Sequence, residues 1–117
     1  MSKHILLCDD DQSIIEVISI ILNAKGYAVS TVLHCEEIME KVRQIKPNII
    51  LLDLQIPGGG ERAATVLKSD TEAARIPLII FSANPHIEEI SKKIGADGYL
   101  AKPFEITELE ELMRKYA

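Results

Sequence analysis

The stretch Asn48-Ile49-Ile50-Leu51-Leu52-Asp53-Leu54-Gln55-Ile56-Pro57 decides the fold. Its aliphatic run, Ile49 to Leu52, does not alternate with polar residues. Neither face of such a strand can meet water, and strands buried on both faces belong to parallel sheets covered by helices. Asp53 then stands at the C-terminal tip of the strand, the edge where open α/β sheets gather their ligands. An Asp after a strand is also an ordinary turn former or helix cap, so its neighbours must decide whether it does chemistry.

Working outward, three further apolar runs end in polar groups. His4-Ile5-Leu6-Leu7-Cys8 leads into Asp9-Asp10-Asp11, Ile76-Pro77-Leu78-Ile79-Ile80-Phe81 into Ser82, and Gly98-Tyr99-Leu100-Ala101 into Lys102-Pro103. Any one of these ends has an everyday explanation. Their coincidence brings carboxylates, a hydroxyl and an ammonium to one sheet edge, where a divalent cation and a phosphoryl group could be held together.

Strand patterns at about 3–8, 28–32, 48–53, 77–82 and 97–101 alternate with helical patterns at about 12–25, 35–45, 61–69, 86–94 and 106–116, which predicts βαβ units. The expected architecture is α/β: a doubly wound, five-stranded parallel sheet carrying five helices. The predicted inward stripes are Ile14, Val17, Ile18, Ile21 and Leu22 on the first helix, and Ile38, Met39, Val42 and Ile45 on the second. Ala63, Val66 and Leu67 serve the third, Ile87, Ile90 and Ile94 the fourth, and Ile106, Leu109, Leu112, Met113 and Tyr116 the last. Asp11 is placed to cap the first helix and Gly26 to stop it.

A chain of 117 residues, 47% hydrophobic and 26% charged, describes one globular domain, residues 1–117, with a single core. The formal charge of −5 and the lack of a basic face argue against direct nucleic-acid binding. No apolar stretch reaches bilayer-spanning length and no signal-peptide layout opens the chain, so no membrane role and a cytoplasmic location are expected. Cys8 and Cys35 lack metal-binding spacing and read as reduced thiols. Pro57-Gly58-Gly59-Gly60 is followed by Glu61-Arg62, not the Lys-Ser or Lys-Thr of a P-loop. It reads as a mobile loop.

The ordered set Asp9-Asp10, Asp53 with Pro57, Ser82-Ala83, Tyr99 and Lys102-Pro103-Phe104 resembles the receiver domain of two-component response regulators, from first strand to last helix. The resemblance implies a flavodoxin-like (βα)5 fold with strand order 2-1-3-4-5. It also implies that Asp53 accepts a phosphoryl group from a histidine kinase or histidine phosphotransfer protein. Mg²⁺, with Mn²⁺ as a substitute, would be held by Asp10, Asp53 and the Gln55 backbone carbonyl, with Asp9 acting through water. Lys102, Ser82 and the Ala83 backbone would contact the phosphoryl oxygens, and Ser82 with Tyr99 would form the switch. Lys102–Pro103 is expected to be cis, a form that costs little before proline. Gln55 and Asn84, each two residues past a strand end, would tune the lifetime of the acyl phosphate. The domain would be a signalling phosphoacceptor rather than an enzyme, promoting its own phosphorylation and dephosphorylation. Its output would pass to a protein target or an attached output domain through the face of the fourth helix, fifth strand and fifth helix. Glu88, Lys92, Lys93, Glu108 and Glu111 are expected on the exposed side of that face. The glycine loop departs from the Met-Asp-Gly-like sequence usual in the family.

Two other classes share some of these features. A haloacid-dehalogenase-like phosphohydrolase would use Asp9 as nucleophile and Asp11 as acid, but the chain has no cap domain or closing acidic pair, and Asp53 would lack a role. A flavodoxin-like flavin binder needs a Ser, Thr and Gly-rich loop after the first strand, where this chain is acidic. A receiver-like module that is never phosphorylated would leave the full acceptor set without a use.

Overall fold

A computed structural model describes residues 3–117. Five strands, β1 His4–Cys8, β2 Ala28–Val32, β3 Ile49–Asp53, β4 Leu78–Ser82 and β5 Gly98–Ala101, alternate with helices α1 Gln12–Ala24, α2 Ile38–Ile45, α3 Gly60–Ser69, α4 Ile87–Ile94 and α5 Ile106–Tyr116. The strands form one parallel sheet in the order β2-β1-β3-β4-β5. The chain therefore winds outward to β2, then crosses back over β1 to β3. The connections leaving β1 and β3 part company at this reversal, which opens a crevice at the C-terminal edge.

Because strand side chains alternate between faces, the aliphatic runs feed two cores. Leu6, Ile50, Leu52, Leu78 and Ile80 face α2, α3 and α4 through Ile38, Val42, Ala63, Leu67 and Ile87. Ile5, Leu7, Ile49, Leu51, Ile79 and Phe81 face α1 and α5 through Ile15, Ile18, Leu22, Leu109 and Met113. At about 25 cal/mol per Å² of apolar surface removed from water, these buried side chains are the main stabilising force. The Asp11 carboxylate accepts hydrogen bonds from the Ser13 and Ile14 N–H groups, capping α1 as the sequence suggests. Gly26, at φ 91°, follows its end.

Three inward assignments are corrected by the structure. Val17 is 52% exposed, Val66 47% and Ile106 53%. Each helix carries more aliphatic surface than its line of contact with the sheet can cover. In α1 the covered line is Ile15, Ile18 and Leu22. Val17 and Ile106 share one place, since with Ile14, Ile21, Pro103 and Phe104 they line an open groove of ≈ 440 Å³ beside Lys102, whereas Val66 lies apart, beside Cys35 and Met39.

The glycine segment makes backbone hydrogen bonds to its surroundings. The Cys35 N–H donates to the Pro57 carbonyl at 2.9 Å, and the Gly59 N–H to Ile56 at 2.9 Å. Gly58 and Gly59 sit at φ 93° and 100°, a region L side chains avoid. Gly60 starts α3 one residue earlier than the pattern suggests, and a Cβ there would lie 2.4 Å from the Leu54 Cα and 2.8 Å from the Asp53 carbonyl oxygen. Only glycine lets α3 seat this closely on the end of β3. Among the described residues, no helix is long and apolar enough to cross a membrane.

Candidate functional site

Alternation along the strands sorts the polar groups at the sheet edge. Asp9 continues the parity of Ile5 and Leu7, Asp53 that of Ile49 and Leu51, and Lys102 that of Leu100, all members of the α1/α5 core. All three therefore point to one side. Phe81 shares that side and is the register partner of Asp53. Ser82 and Tyr99 have the opposite parity, and Tyr99 pairs with Ile80 of the α4-side core.

Asp9 is fully buried and Asp53 is 4% exposed, while Asp10 is exposed at the rim. One carboxylate oxygen from each lies within 4.8 Å of the others. Asp9 Oδ1 accepts the Asp11 N–H at 3.1 Å, and Asp53 Oδ1 accepts the Gln55 N–H at 3.1 Å. Asp9 Oδ2 is buried with no hydrogen-bond partner. The Lys102 ammonium lies 3.8 Å from that oxygen and 3.7 Å from Asp53 Oδ1. These are ion-pair distances, too long for directed hydrogen bonds.

Burial pushes the Asp9 carboxyl up to about 6; the Asp11 N–H opposes the shift, Asp53 adds to it by hydrogen bonding and charge, and Lys102 lowers it. Asp11, at the rim, shifts the other way, mainly through the Ser13 hydroxyl. Three carboxylates facing one ammonium leave a deficit of positive charge, and a buried oxygen without a partner is costly. A hard divalent cation that takes oxygen ligands fits both conditions.

Ser82 ends β4 at 1% exposure. Its hydroxyl oxygen accepts the Asn84 N–H at 3.0 Å, and its carbonyl accepts the Lys102 N–H at 2.9 Å. Asn84 and Gln55 are held by the same device, an N–H donated to the polar side chain two residues earlier. Ala83 and Gln55 are exposed, and Asn84 is half-buried. The Lys102–Pro103 peptide bond is cis. Tyr99 is outside this cluster: it is 39% exposed and its hydroxyl donates to Glu88 Oε1 at 3.4 Å. The Glu88 charge, followed by burial and this hydrogen bond, raises the Tyr99 hydroxyl above its ordinary range. Glu88, Lys92, Lys93, Glu108 and Glu111 are all exposed.

Two contributors escape a reading of the sequence. Glu88 passes for a solvated helix residue yet engages Tyr99. Phe81 passes for core yet places its ring centroid 4.6 Å from the Lys102 ammonium. The only signal for Phe81 is an aromatic residue closing an otherwise aliphatic strand beside Ser82.

Comparison with known proteins defines the class. The family model for the response regulator receiver domain matches residues 5–114, and the chain belongs to that family. It is 31% identical over 117 residues to the DNA-binding response regulator MtrA of Mycobacterium tuberculosis, covering 97% of this chain and 50% of that protein. It is 35% identical over 114 residues to the phosphate regulon transcriptional regulatory protein PhoB of Pseudomonas aeruginosa, covering 93% and 49%. The chain spans about half the length of these curated relatives. Among solved structures it is similar to the receiver domain of the sensor histidine kinase PA1611 from Pseudomonas aeruginosa, which carries a magnesium ion in its active-site cleft. That match has TM-score 0.90, 27% identity and coverage of 99% and 98%. A putative response regulator from Chloroflexus aurantiacus has the same fold, with TM-score 0.93, 24% identity and coverage of 99% and 98%. The flavodoxin-like receiver architecture and the strand order 2-1-3-4-5 are thus those the resemblance implies.

Proposed function

We propose that residues 1–117 form a single receiver domain that takes a phosphoryl group from phosphohistidine onto Asp53. The observation that carries this reading is the buried Asp53 carboxylate at a strand tip, 3.7 Å from the Lys102 ammonium and grouped with Asp9 and Asp10. Asp53 attacks phosphorus as the P–N bond breaks and the imidazole leaves. Lys102 balances charge on the phosphoryl oxygens, while the Ser82 hydroxyl and Ala83 N–H donate to them. Alignment and charge neutralisation supply most of the rate in such transfers. Asp9, Asp10, Asp53 and the Gln55 carbonyl would hold Mg²⁺, or Mn²⁺ in its place. When bound, the cation offsets carboxylate repulsion and draws phosphoryl oxygens into line. The partnerless Asp9 Oδ2 and the magnesium in the related PA1611 receiver support that choice.

A phosphoryl group adds roughly −1.5 to −2 charge and three strong acceptors. Drawn towards it, Ser82 leaves space on the α4 side, and Tyr99 turns inward from Glu88 to fill it. Gln55 and Asn84 flank the route of water to the acyl phosphate and set its lifetime, so the domain promotes both its own phosphorylation and its own dephosphorylation. Its donor is a histidine kinase or histidine phosphotransfer protein in the cytoplasm. Its readers are a protein target or an attached output domain, and the acidic domain itself does not bind nucleic acid.

The rival assignment makes Asp9 the nucleophile. It would leave Asp53, at the tip of β3 and 3.7 Å from the Lys102 ammonium, without a role. Treatment with acetyl phosphate and Mg²⁺ should add one phosphoryl group, mapped by mass spectrometry to Asp53 and absent from Asp53→Ala. Label that persists in that variant, or maps to Asp9, refutes the reading.

A further inference from the structure

Neither carboxylate beside Lys102 is free to hold it during the reaction proposed above. Asp53 spends its lone pair on phosphorus, and Asp9 Oδ2 is an oxygen that a divalent cation would engage. The third neighbour is the Phe81 ring, with its centroid 4.6 Å from the ammonium. The electron-rich face of a benzene ring attracts a cation, more strongly when both are shielded from water. Phe81 is fully buried, so its ring cannot swing away, and its register with Asp53 sets it beside the nucleophile. Phe81 is the only aromatic among the buried members of a core otherwise built from Ile, Leu and one Met.

We propose that Phe81 is a positioning residue for phosphoryl transfer, its ring seating the Lys102 ammonium at Asp53 while the carboxylates are engaged elsewhere. The proposal rests on Asp53 being the acceptor. It distinguishes the ring's electrons from its bulk, because an aliphatic side chain fills space but offers no negative face.

The test replaces Phe81, at that position only, with 4-fluoro-, 3,5-difluoro- and pentafluoro-phenylalanine in the full chain. Successive fluorines keep the shape and drain the face of the ring. In the unphosphorylated protein at saturating Mg²⁺, where the cation engages the carboxylates, the ring current should displace the Lys102 ε-methylene protons upfield. That displacement should shrink stepwise along the series while the thermal midpoint stays near that of the unmodified protein. The rate of phosphorylation by acetyl phosphate at saturating Mg²⁺ should fall in the same order, by about fivefold at the pentafluoro member, with Phe81→Leu at least as slow. A Lys102 shift and rate unchanged across the series would overturn the seat. So would a slow Phe81→Leu without any grading by fluorine, because the ring would then act only as filler. If pentafluoro-phenylalanine disrupts folding, the two lighter members decide by the same trend. Failure of the unmodified protein to be labelled at Asp53 would instead strike the acceptor assignment, and the Lys102 shifts at saturating Mg²⁺ would still decide the seat.

Discussion

The two sides of one sheet edge differ in burial and charge. On the α1/α5 side, Asp9, Asp53, Phe81 and Lys102 make a corner whose two strand-end carboxylates are buried. On the α4 side, Ser82 is buried while Tyr99 is 39% exposed and held only by a 3.4 Å hydrogen bond to Glu88. One side stores unfavourable electrostatics and the other a loosely held aromatic ring. A strand's alternation puts neighbouring residues on opposite faces, so the step from Phe81 to Ser82 joins the two sides within a single peptide unit. The proposed chemistry lies where burial strengthens charge, and the proposed readout lies at the more exposed Tyr99.

The largest effect expected from this contrast is at Lys102. Lys102→Met should slow labelling of Asp53 by about 100-fold, the scale of losing one charge-stabilising donor, without weakening Mg²⁺ binding. Stopped-flow phosphorylation and a metal titration would separate the two. A parallel loss of both would mean that Lys102 organises the carboxylates rather than serving the phosphoryl group.

Gly60 supports both sides, since α3 starts against the backbone of Asp53 and Leu54. Gly60→Ala should cost about 2–3 kcal/mol, because backbone atoms 2.4 and 2.8 Å from the new Cβ cannot be pushed aside cheaply. Urea unfolding would measure it. A cost under ~0.5 kcal/mol would show that the β3–α3 junction is looser than its hydrogen bonds indicate.

Asp9 tests the electrostatic half alone. Its native pKa, raised to about 6, lies above the unfolded value near 3.8, so between those values the native state binds more protons. Stability of the metal-free protein should therefore fall as pH rises from about 4 to 6 and stay reduced above. Asp9→Asn removes that penalty. It should stabilise the metal-free protein at pH 7 by about 1–2 kcal/mol, with the gain fading towards pH 4. Added Mg²⁺ should stabilise the unmodified protein more than the variant and narrow or reverse the gap. Thermal melts across pH, with and without Mg²⁺, would reveal a wrong sign. Asp53 and Lys102 both act on this group, so substitution of either should move the same transition.

The smallest effect concerns Tyr99. Glu88→Gln should lower the pKa of the Tyr99 hydroxyl towards the ordinary tyrosine range by removing the leading cause of its rise. An NMR pH titration of the labelled ring reads this directly, and a hydroxyl that titrates as before would show that Glu88 does not hold it.

Much of this molecule can be read along the chain. Ile49 to Leu52 and Leu78 to Phe81 are aliphatic or aromatic without a break, which leaves no exposed strand as an alternative. Asp11 caps with its own side chain, and Gly26 stops α1 by its own backbone freedom. Asp9, Asp53 and Lys102 reach one site because strand ends in a parallel sheet share an edge and their parities agree. The rotation of α1 was not readable. Its crowded aliphatic face, Ile14 to Leu22, offers several stripes of similar quality, and the choice of Ile15 over Val17 depends on what β1 and α5 present. The tied glycine turn depends on Cys35, distant in sequence, and the Asp9 shift depends on how fully other elements cover it.

What the sequence by itself determined is which residues arrive at the edge, because hydrophobic periodicity and strand parity are local properties of the chain. Only the tertiary structure decided how those residues meet: the ring of Phe81 beneath Lys102, the orphaned oxygen of Asp9, the hold of Glu88 on Tyr99 and the glycine seat of α3. The physical reason is that ion pairing, desolvation and close packing depend on distances of a few ångströms between separate elements, and no local pattern encodes those distances.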